Sequence, residues 1–321
     1  MVLAGIDEAG YGPLLGPLAI GCTAFEIPGD ATSVPCLWKR LGRIISRHRS
    51  KSGRKLHIND SKLVYSPSAG LLELERSVLA VIGAVSQIPE KLDGLLRLVC
   101  PDAVAPLAEH PWYAAPPTER FPAEANPTSL RLMANGLRAE LQTTETRCVY
   151  LAARLVPERQ LNRLFAATRN KSSVLFSQAA IHMDQLLRRF GQRGLVLWCD
   201  RQGGREHYGH LLRLMFEDWS LQVVAERDGY SEYCLCQPQA TVRLIFCEKA
   251  EGQSLPVALA SMMAKYLREA LMARFNAWWR SCCPQVVPTA GYYQDGQRFL
   301  QDISAQRVSL GITDEQLVRS R

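Results

Sequence analysis

The chain has 321 residues, 47% hydrophobic and 21% charged, a balance that supports a buried core and excludes a disordered polyelectrolyte. A formal charge of +7 and a pI near 8.9 favour a polyanionic partner through phosphate attraction and counterion release, although solubility alone also accounts for such an excess. No stretch approaches the roughly 18 apolar residues of a membrane span, and Met1–Gly10 lacks the basic start and apolar core of a secretory leader, so a cytoplasmic protein with reduced thiols is expected.

In chain order, Met1–Ile6 reads as a strand ending at Asp7-Glu8, and Leu18–Ile27 as its returning partner. Gly10-Tyr11-Gly12-Pro13 and Gly16-Pro17 supply turn chemistry between them, which predicts an antiparallel hairpin with acids at its bend. Residues 36–50 are basic with apolar positions at helical spacing, and a second helix is expected over Ser66–Val85. Seven prolines (Pro101, Pro106, Pro111, Pro116, Pro117, Pro122 and Pro127) make residues 99–128 an expected irregular loop within an insertion at about 90–145. Arg147–Val156 reads as a strand, Val174–Phe190 as a helix, and Gly194–Cys199 as a buried strand ending at Asp200. Three further strands are expected at Leu221–Ala225, Tyr230–Cys236 and Thr241–Cys247, with Asp228-Gly229 as a hairpin turn. Pro256–Trp279 reads as a long helix whose small residues Ala258, Ala260, Ser261 and Ala264 allow close packing. The order implies a single mixed α/β domain over residues 1–321, with a helical portion from about 256.

Asp7-Glu8, Asp200 and Glu251 each fall where a strand ends or a helix begins. Carboxylates at strand ends of an α/β sheet converge on one crevice, repel one another, and suit hard cations such as Mg²⁺. Two such ions form a common device for phosphodiester cleavage. By themselves these positions are also what chance gives among 31 acidic residues.

The surrounding residues sharpen the reading. Gly5–Pro17 (GIDEAGYGPLLGP) resembles the opening motif of the type 2 ribonuclease H family (HII and HIII). Asn59-Asp60-Ser61-Lys62 resembles its Asp-Ser-Lys triplet, and Leu195–Asp200 the strand carrying its third acid. Glu251–Lys265 (EGQSLPVALASMMAK) is similar to its helix entry, matching at Glu251, Ser254, Ala260, Ser261, Ala264 and Lys265. Gly291-Tyr292 and Arg307-Val308-Ser309 resemble its C-terminal pieces, and residues 90–145 have no counterpart.

The resemblance implies an RNase H-like mixed sheet flanked by helices. It implies an endonuclease that cuts the RNA strand of RNA/DNA hybrids with two Mg²⁺ or Mn²⁺ ions, leaving 5′-phosphate and 3′-hydroxyl ends. Asp7 would bridge both metals, Glu8 would help hold one and orient water, and Asp200 and Glu251 would complete the shell. Gly10, Tyr11, Gly12, Ser61, Lys62, Ser254, Lys265 and Tyr292 would lie on the substrate side, with Tyr292 packing on a sugar. No membrane or obligate protein partner is implied, and a monomer is expected. Two residues depart from the pattern: Tyr11 stands where the family has arginine or lysine, and Glu251 where it has aspartate. Glu248 is an alternative fourth acid. A nuclease of the same fold acting on DNA or structured RNA, and a binding module without catalysis, are the rival readings.

The remaining features read first as structure. His207 and His210 read as solvent-facing polar side chains before metal ligands, Gly203-Gly204-Arg205 as a loop before a phosphate site, and Trp278-Trp279 as core before a base-stacking platform. The cysteine pairs Cys234/Cys236 and Cys282/Cys283 lack zinc-knuckle spacing. The basic run Arg40, Arg43, Arg47, Arg49, Lys51, Arg54 and Lys55 reads as a solvated face or a hybrid-backbone contact.

Overall fold

The computed structural model describes residues 1–31, 33–116 and 120–320. β1 (Val2–Ala9) and β2 (Leu18–Glu26) form the expected antiparallel hairpin, with Asp7 opposite Gly21 and Glu8 opposite Ile20. β1 runs past Ile6, so both acids lie within the strand rather than after it; pairing ends only at Ala9, before Gly10 turns the chain with a φ of 83°.

The helix expected over 36–50 is mostly absent. α1 (Leu37–Arg40) stops in a turn around Gly42, and β3 (Ile45–Ser46) pairs in parallel with β4 (Leu56–His57). Trp38, Leu41, Ile45 and Leu56 are thereby buried, while the basic segment between the two strands is largely exposed. α2 (Ser61–Val64) is capped by Asp60, whose side chain accepts the Lys62 N–H at 2.9 Å. α3 (Leu72–Val85) starts later than Ser66, because Gly70 takes a φ of 75° and the Glu124 carboxylate accepts the N–H groups of Leu71 and Leu72.

The proline-rich stretch is helical only in part: α5 (Val104–Ala108) and α6 (Pro111–Ala114) lie within it, α4 (Leu92–Val99) and α7 (Pro127–Thr143) flank it, and the described residues between α6 and α7 are irregular as expected. Pro111 and Pro127 open their helices, where the missing N–H has no intrahelical partner to lose. Pro117 lies outside the described residues. These helices join the main core: Trp112 is fully buried against Phe275 and Trp279.

β5 (Arg147–Val156) is followed by α8 (Glu158–Thr168), unanticipated from the sequence, and α9 (Lys171–Phe190). β6 (Leu195–Asp200), α10 (Gly209–Met215), β7 (Ser220–Arg227), β8 (Tyr230–Gln237) and β9 (Ala240–Cys247) follow, with Asp228-Gly229 turning the β7–β8 hairpin. α11 (Leu255–Cys282), α12 (Tyr293–Asp302), α13 (Ser304–Ser309) and α14 (Asp314–Leu317) form the helical C-terminal portion.

The result is a mixed seven-stranded sheet of order β5-β2-β1-β6-β9-β8-β7, flanked by helices as expected. β6 runs parallel to β1 and β9, and the other neighbours are antiparallel. Val2, Ala4 and Ile6 pack toward α9, whereas Leu3 packs toward α11. α11 lies so close to the sheet that a Cβ on Gly5 would sit 2.1 Å from the Val257 nitrogen, and one on Gly21 would sit 2.2 Å from the Ala260 carbonyl oxygen. Trp279, at 0% exposure, is core as read from the sequence.

Candidate active site

Three parallel strands end side by side on one edge of the sheet. β1 carries Asp7 and Glu8, β6 ends on Asp200, and β9 leads into the short turn Ala250–Gly252 that holds Glu251. Asp7 and Glu251 are buried, at 7% and 6% exposure. Burial pushes the Asp7 carboxyl well above the usual carboxylate range, with Glu8, Asp200 and Glu251 adding repulsion. Burial and Asp200 push Glu8 up to about 8, and the same two causes take Glu251 to about 7. Asp200 is raised by burial, against hydrogen bonds from the Ala250 and Arg201 backbone; the first is 3.0 Å long. The four acids are therefore close enough to govern one another's protonation.

Glu248 is not part of this group: it is half exposed and paired with Arg201. Asp60 is, although only its neighbours Ser61 and Lys62 were singled out from the sequence. Its charge and a side-chain hydrogen bond both raise Glu251. The signal was present in the Asn59-Asp60-Ser61-Lys62 segment as a further acid.

The other residues singled out divide into two groups. Lys62 stands beside the acids, its charge lowering the proton affinity of Glu8 and Asp200. Buried Ser61 accepts a hydrogen bond from Ser261 Oγ at 3.0 Å, and the same Ser261 hydroxyl lies within reach of the Asp7 carboxyl. Tyr11 lies next to Glu8, whose charge adds to burial in raising the phenol's proton affinity. Gly10 holds its positive φ above Arg268, and Gly12 faces open space. Tyr292 is 52% exposed, with the Arg268 guanidinium 5.8 Å from its ring.

Ser254 and Lys265 are placed by other contacts. Ser254 lines a cavity of about 190 Å³ with Trp38 and Trp198. Lys265 donates to Glu269 at 2.7 Å and lies over the Tyr65 ring. His207 is an exposed partner of Glu226, and Arg205 donates to Ser172. Arg47 of the basic run covers the Trp38 ring at 3.9 Å, and Lys55 donates to the Gly42 carbonyl.

Two buried carboxylate oxygens, Glu8 Oε2 and Glu251 Oε2, have no hydrogen-bond partner among the described residues. A hard cation satisfies such oxygens, so the donor set fits Mg²⁺ or Mn²⁺ chemically. Among the described residues, however, no group of three or more His, Cys, Asp or Glu side chains is arranged as a finished ligand set.

No protein-family model and no curated protein matches the chain. Solved structures that it is similar to are ribonucleases of the HII and HIII kinds. Ribonuclease HII of Archaeoglobus fulgidus, solved in complex with PCNA, is 15% identical with a TM-score of 0.46, over 100% of this chain and 95% of that one. Ribonuclease H2 of Pyrococcus horikoshii is 14% identical with a TM-score of 0.44, over 99% and 92%. Bst ribonuclease HIII in complex with Mn²⁺ is 11% identical with a TM-score of 0.39, over 99% and 66%.

Proposed function

We propose that the chain is a metal-dependent endonuclease that hydrolyses the RNA strand of RNA/DNA hybrids, leaving 5′-phosphate and 3′-hydroxyl ends. The observation that carries this reading is the gathering of Asp7, Glu8, Asp200 and Glu251 at one sheet edge, each with raised proton affinity. The unpartnered oxygens of Glu8 and Glu251 support it. An ionised cluster of this kind repels itself, and cations held among the carboxylates would offset that repulsion.

Asp7, Glu8, Asp200 and Glu251 would hold two Mg²⁺ or Mn²⁺ ions. Such ions supply Lewis-acid activation of water and stabilise the leaving oxygen. Lys62 brings a positive charge to the same place and suits a phosphate. The backbone of Gly10, Tyr11 and Gly12, the Ser61 hydroxyl and the exposed Tyr292 ring complete a substrate side able to hold phosphate and sugar. The excess of 38 Lys and Arg over 31 Asp and Glu suits a polyanion. Among the described residues no helix is long and apolar enough to cross a membrane. A monomeric, cytoplasmic enzyme belongs to the same proposal.

Labelled RNA/DNA, DNA/DNA and RNA/RNA duplexes, each incubated with Mg²⁺ and with Mn²⁺, test the reading. The expected result is scission of the RNA strand of the hybrid, abolished in Asp7→Asn with hybrid binding retained. Cutting of DNA/DNA alone overturns it in favour of a DNA nuclease. The absence of a finished ligand set favours one other reading, a hybrid-binding module without catalysis. That reading predicts tight hybrid binding, indifferent to metal, with no cutting in either ion.

A further inference from the structure

The segment that ends the described chain reaches back under the Gly10–Gly16 turn. Arg319 is 4% exposed, and its guanidinium donates to two successive carbonyls, Gly10 O and Tyr11 O, the second at 3.1 Å. Its own backbone N–H donates to Leu14 O at 2.9 Å. The segment is fastened to α8 by Asn162, which accepts the Ser320 N–H at 2.7 Å and donates to Glu315 O at 2.9 Å and Val318 O at 2.7 Å.

Placing a guanidinium here is unfavourable by itself. Burial and the like charge of Arg268 pull Arg319 down to about 10, with Glu158 opposing them. An apolar side chain of similar length would fill the space without that penalty. It could not grip two carbonyls at once, which the planar guanidinium fork does.

The grip has a consequence on the opposite side of the backbone. In a trans peptide the C=O and the following N–H point in opposite directions. Holding Gly10 O and Tyr11 O from below therefore turns the N–H groups of Tyr11 and Gly12 away from Arg319. Among the described residues neither N–H makes a hydrogen bond, and Gly12 faces open space. Successive free N–H groups of this kind form an anion-binding concavity. It lies three to four residues from Glu8 in the chain.

We propose that Arg319 is a positioning residue: it fixes the peptides on either side of Tyr11 so that their N–H groups stand ready for a backbone phosphate of the nucleic acid. This rests on the nuclease reading for its substrate, but not for its geometry. Arg319→Met removes the grip and the charge; Arg319→Lys keeps the charge but fills only part of the fork.

Two measurements decide it. Steady-state cleavage of a hybrid is expected to show KM raised about tenfold in Arg319→Met with kcat within about threefold, and an intermediate KM in Arg319→Lys. Hydrogen–deuterium exchange of the free protein is expected to show faster exchange over residues 10–16 in both variants, carried by the hydrogen-bonded N–H groups of Leu14, Leu15 and Gly16. Wild-type KM and wild-type exchange in Arg319→Met overturn the proposal, as does an Arg319→Lys that matches the wild type in both, since charge alone would then suffice. If Arg319→Met does not fold, Arg319→Lys carries both measurements. If the wild-type protein cuts no hybrid, the nuclease reading fails and exchange over residues 10–16 decides the positioning claim.

Discussion

Ser261 and Ser61, 200 residues apart in the chain, meet in the buried floor of the site with the Ser261 hydroxyl donating to Ser61 Oγ at 3.0 Å. The same hydroxyl lies within reach of the Asp7 carboxyl and, when its one proton turns there and Ser61 becomes the donor of the pair, works against the burial that raises Asp7. One hydroxyl on α11 thus ties β1 and α2 into register. Ser261→Ala is expected to lose about 1 kcal/mol of stability, the usual net worth of a buried hydrogen bond. Turnover should fall roughly tenfold with KM little changed, because Asp7 loses a partner that holds its position. Thermal melts and hybrid-cleavage kinetics check both parts; unchanged kcat would show that Ser261 only fills space.

The acid cluster makes the metal-free protein less stable than an amide variant. Asp7, Glu8 and Glu251 all have raised proton affinities, so ionising them near neutral pH costs the folded state more than the unfolded one. Asp7→Asn removes one of these charges and is expected to raise Tm in chelator while abolishing turnover. Mn²⁺ should then stabilise the wild type, by about 2.7 kcal/mol at a hundred times its Kd. Asp7→Asn should gain much less. Melts with and without Mn²⁺ test this, and an equal gain in both proteins would remove Asp7 from the metal site.

Much of this arrangement was legible in the sequence because it is local. Strand alternation, the Gly-Pro turn chemistry and the Asp228-Gly229 hairpin placed the sheet. The acids stood out because each reads as lying near a strand or turn boundary, although β1 carries Asp7 and Glu8 within its paired residues. The features missed are those that local pattern does not encode. Prolines that read as breakers proved to be helix openers, as at Pro111 and Pro127, because position within the helix decides their effect. The basic run over 36–50 has helical spacing, yet Ile45 and Leu56 gain more by pairing as strands over a shared core. Arg268 and Arg319 matter through contacts with the Gly10–Gly16 turn that lie roughly 250 to 310 residues away in sequence. No periodicity predicts such contacts. Tertiary contacts also separate Glu251, which is buried, from Glu248, which is half exposed and paired with Arg201.

Close packing of α11 on the hairpin gives a steric test. A Cβ at Gly21 would sit 2.2 Å from the Ala260 carbonyl oxygen, and backbone cannot swing aside as a side-chain tip can. Gly21→Ala therefore forces α11 off the sheet, moving Ser261 and the turn that holds Glu251 relative to Asp7. Overpacking of this kind costs roughly 1–3 kcal/mol, and hybrid cleavage should fall with it. Gly12→Ala is the control: its Cβ would meet nothing within 4 Å, so stability should stay within about 0.5 kcal/mol of the wild type. Equal melting temperatures for the two variants would contradict the packing described.

Glu158 sets a pH dependence of stability remote from the acid cluster. It is fully buried; its Oε1 accepts the Gly16 N–H and the Tyr113 hydroxyl, each at 3.1 Å, and its Oε2 lies 3.9 Å from His110 Nε2 with no hydrogen-bond partner among the described residues. Burial pushes its carboxyl up to about 7 from 4.5. Between those values the folded chain keeps a proton that the unfolded chain has released. The contribution is therefore fully present below about 4.5 and is lost as pH rises through about 7. The shift corresponds to roughly 3 kcal/mol at 1.36 kcal/mol per unit. Glu158→Gln keeps an acceptor for Gly16 and Tyr113 but carries no titratable proton. Its stability should match the wild type near pH 5 and exceed it progressively toward pH 8. Glu8 and Glu251 titrate in both proteins, so the difference between the two urea-unfolding curves belongs to Glu158. Curves that stay parallel from pH 5 to 8 would mean that another group carries the dependence.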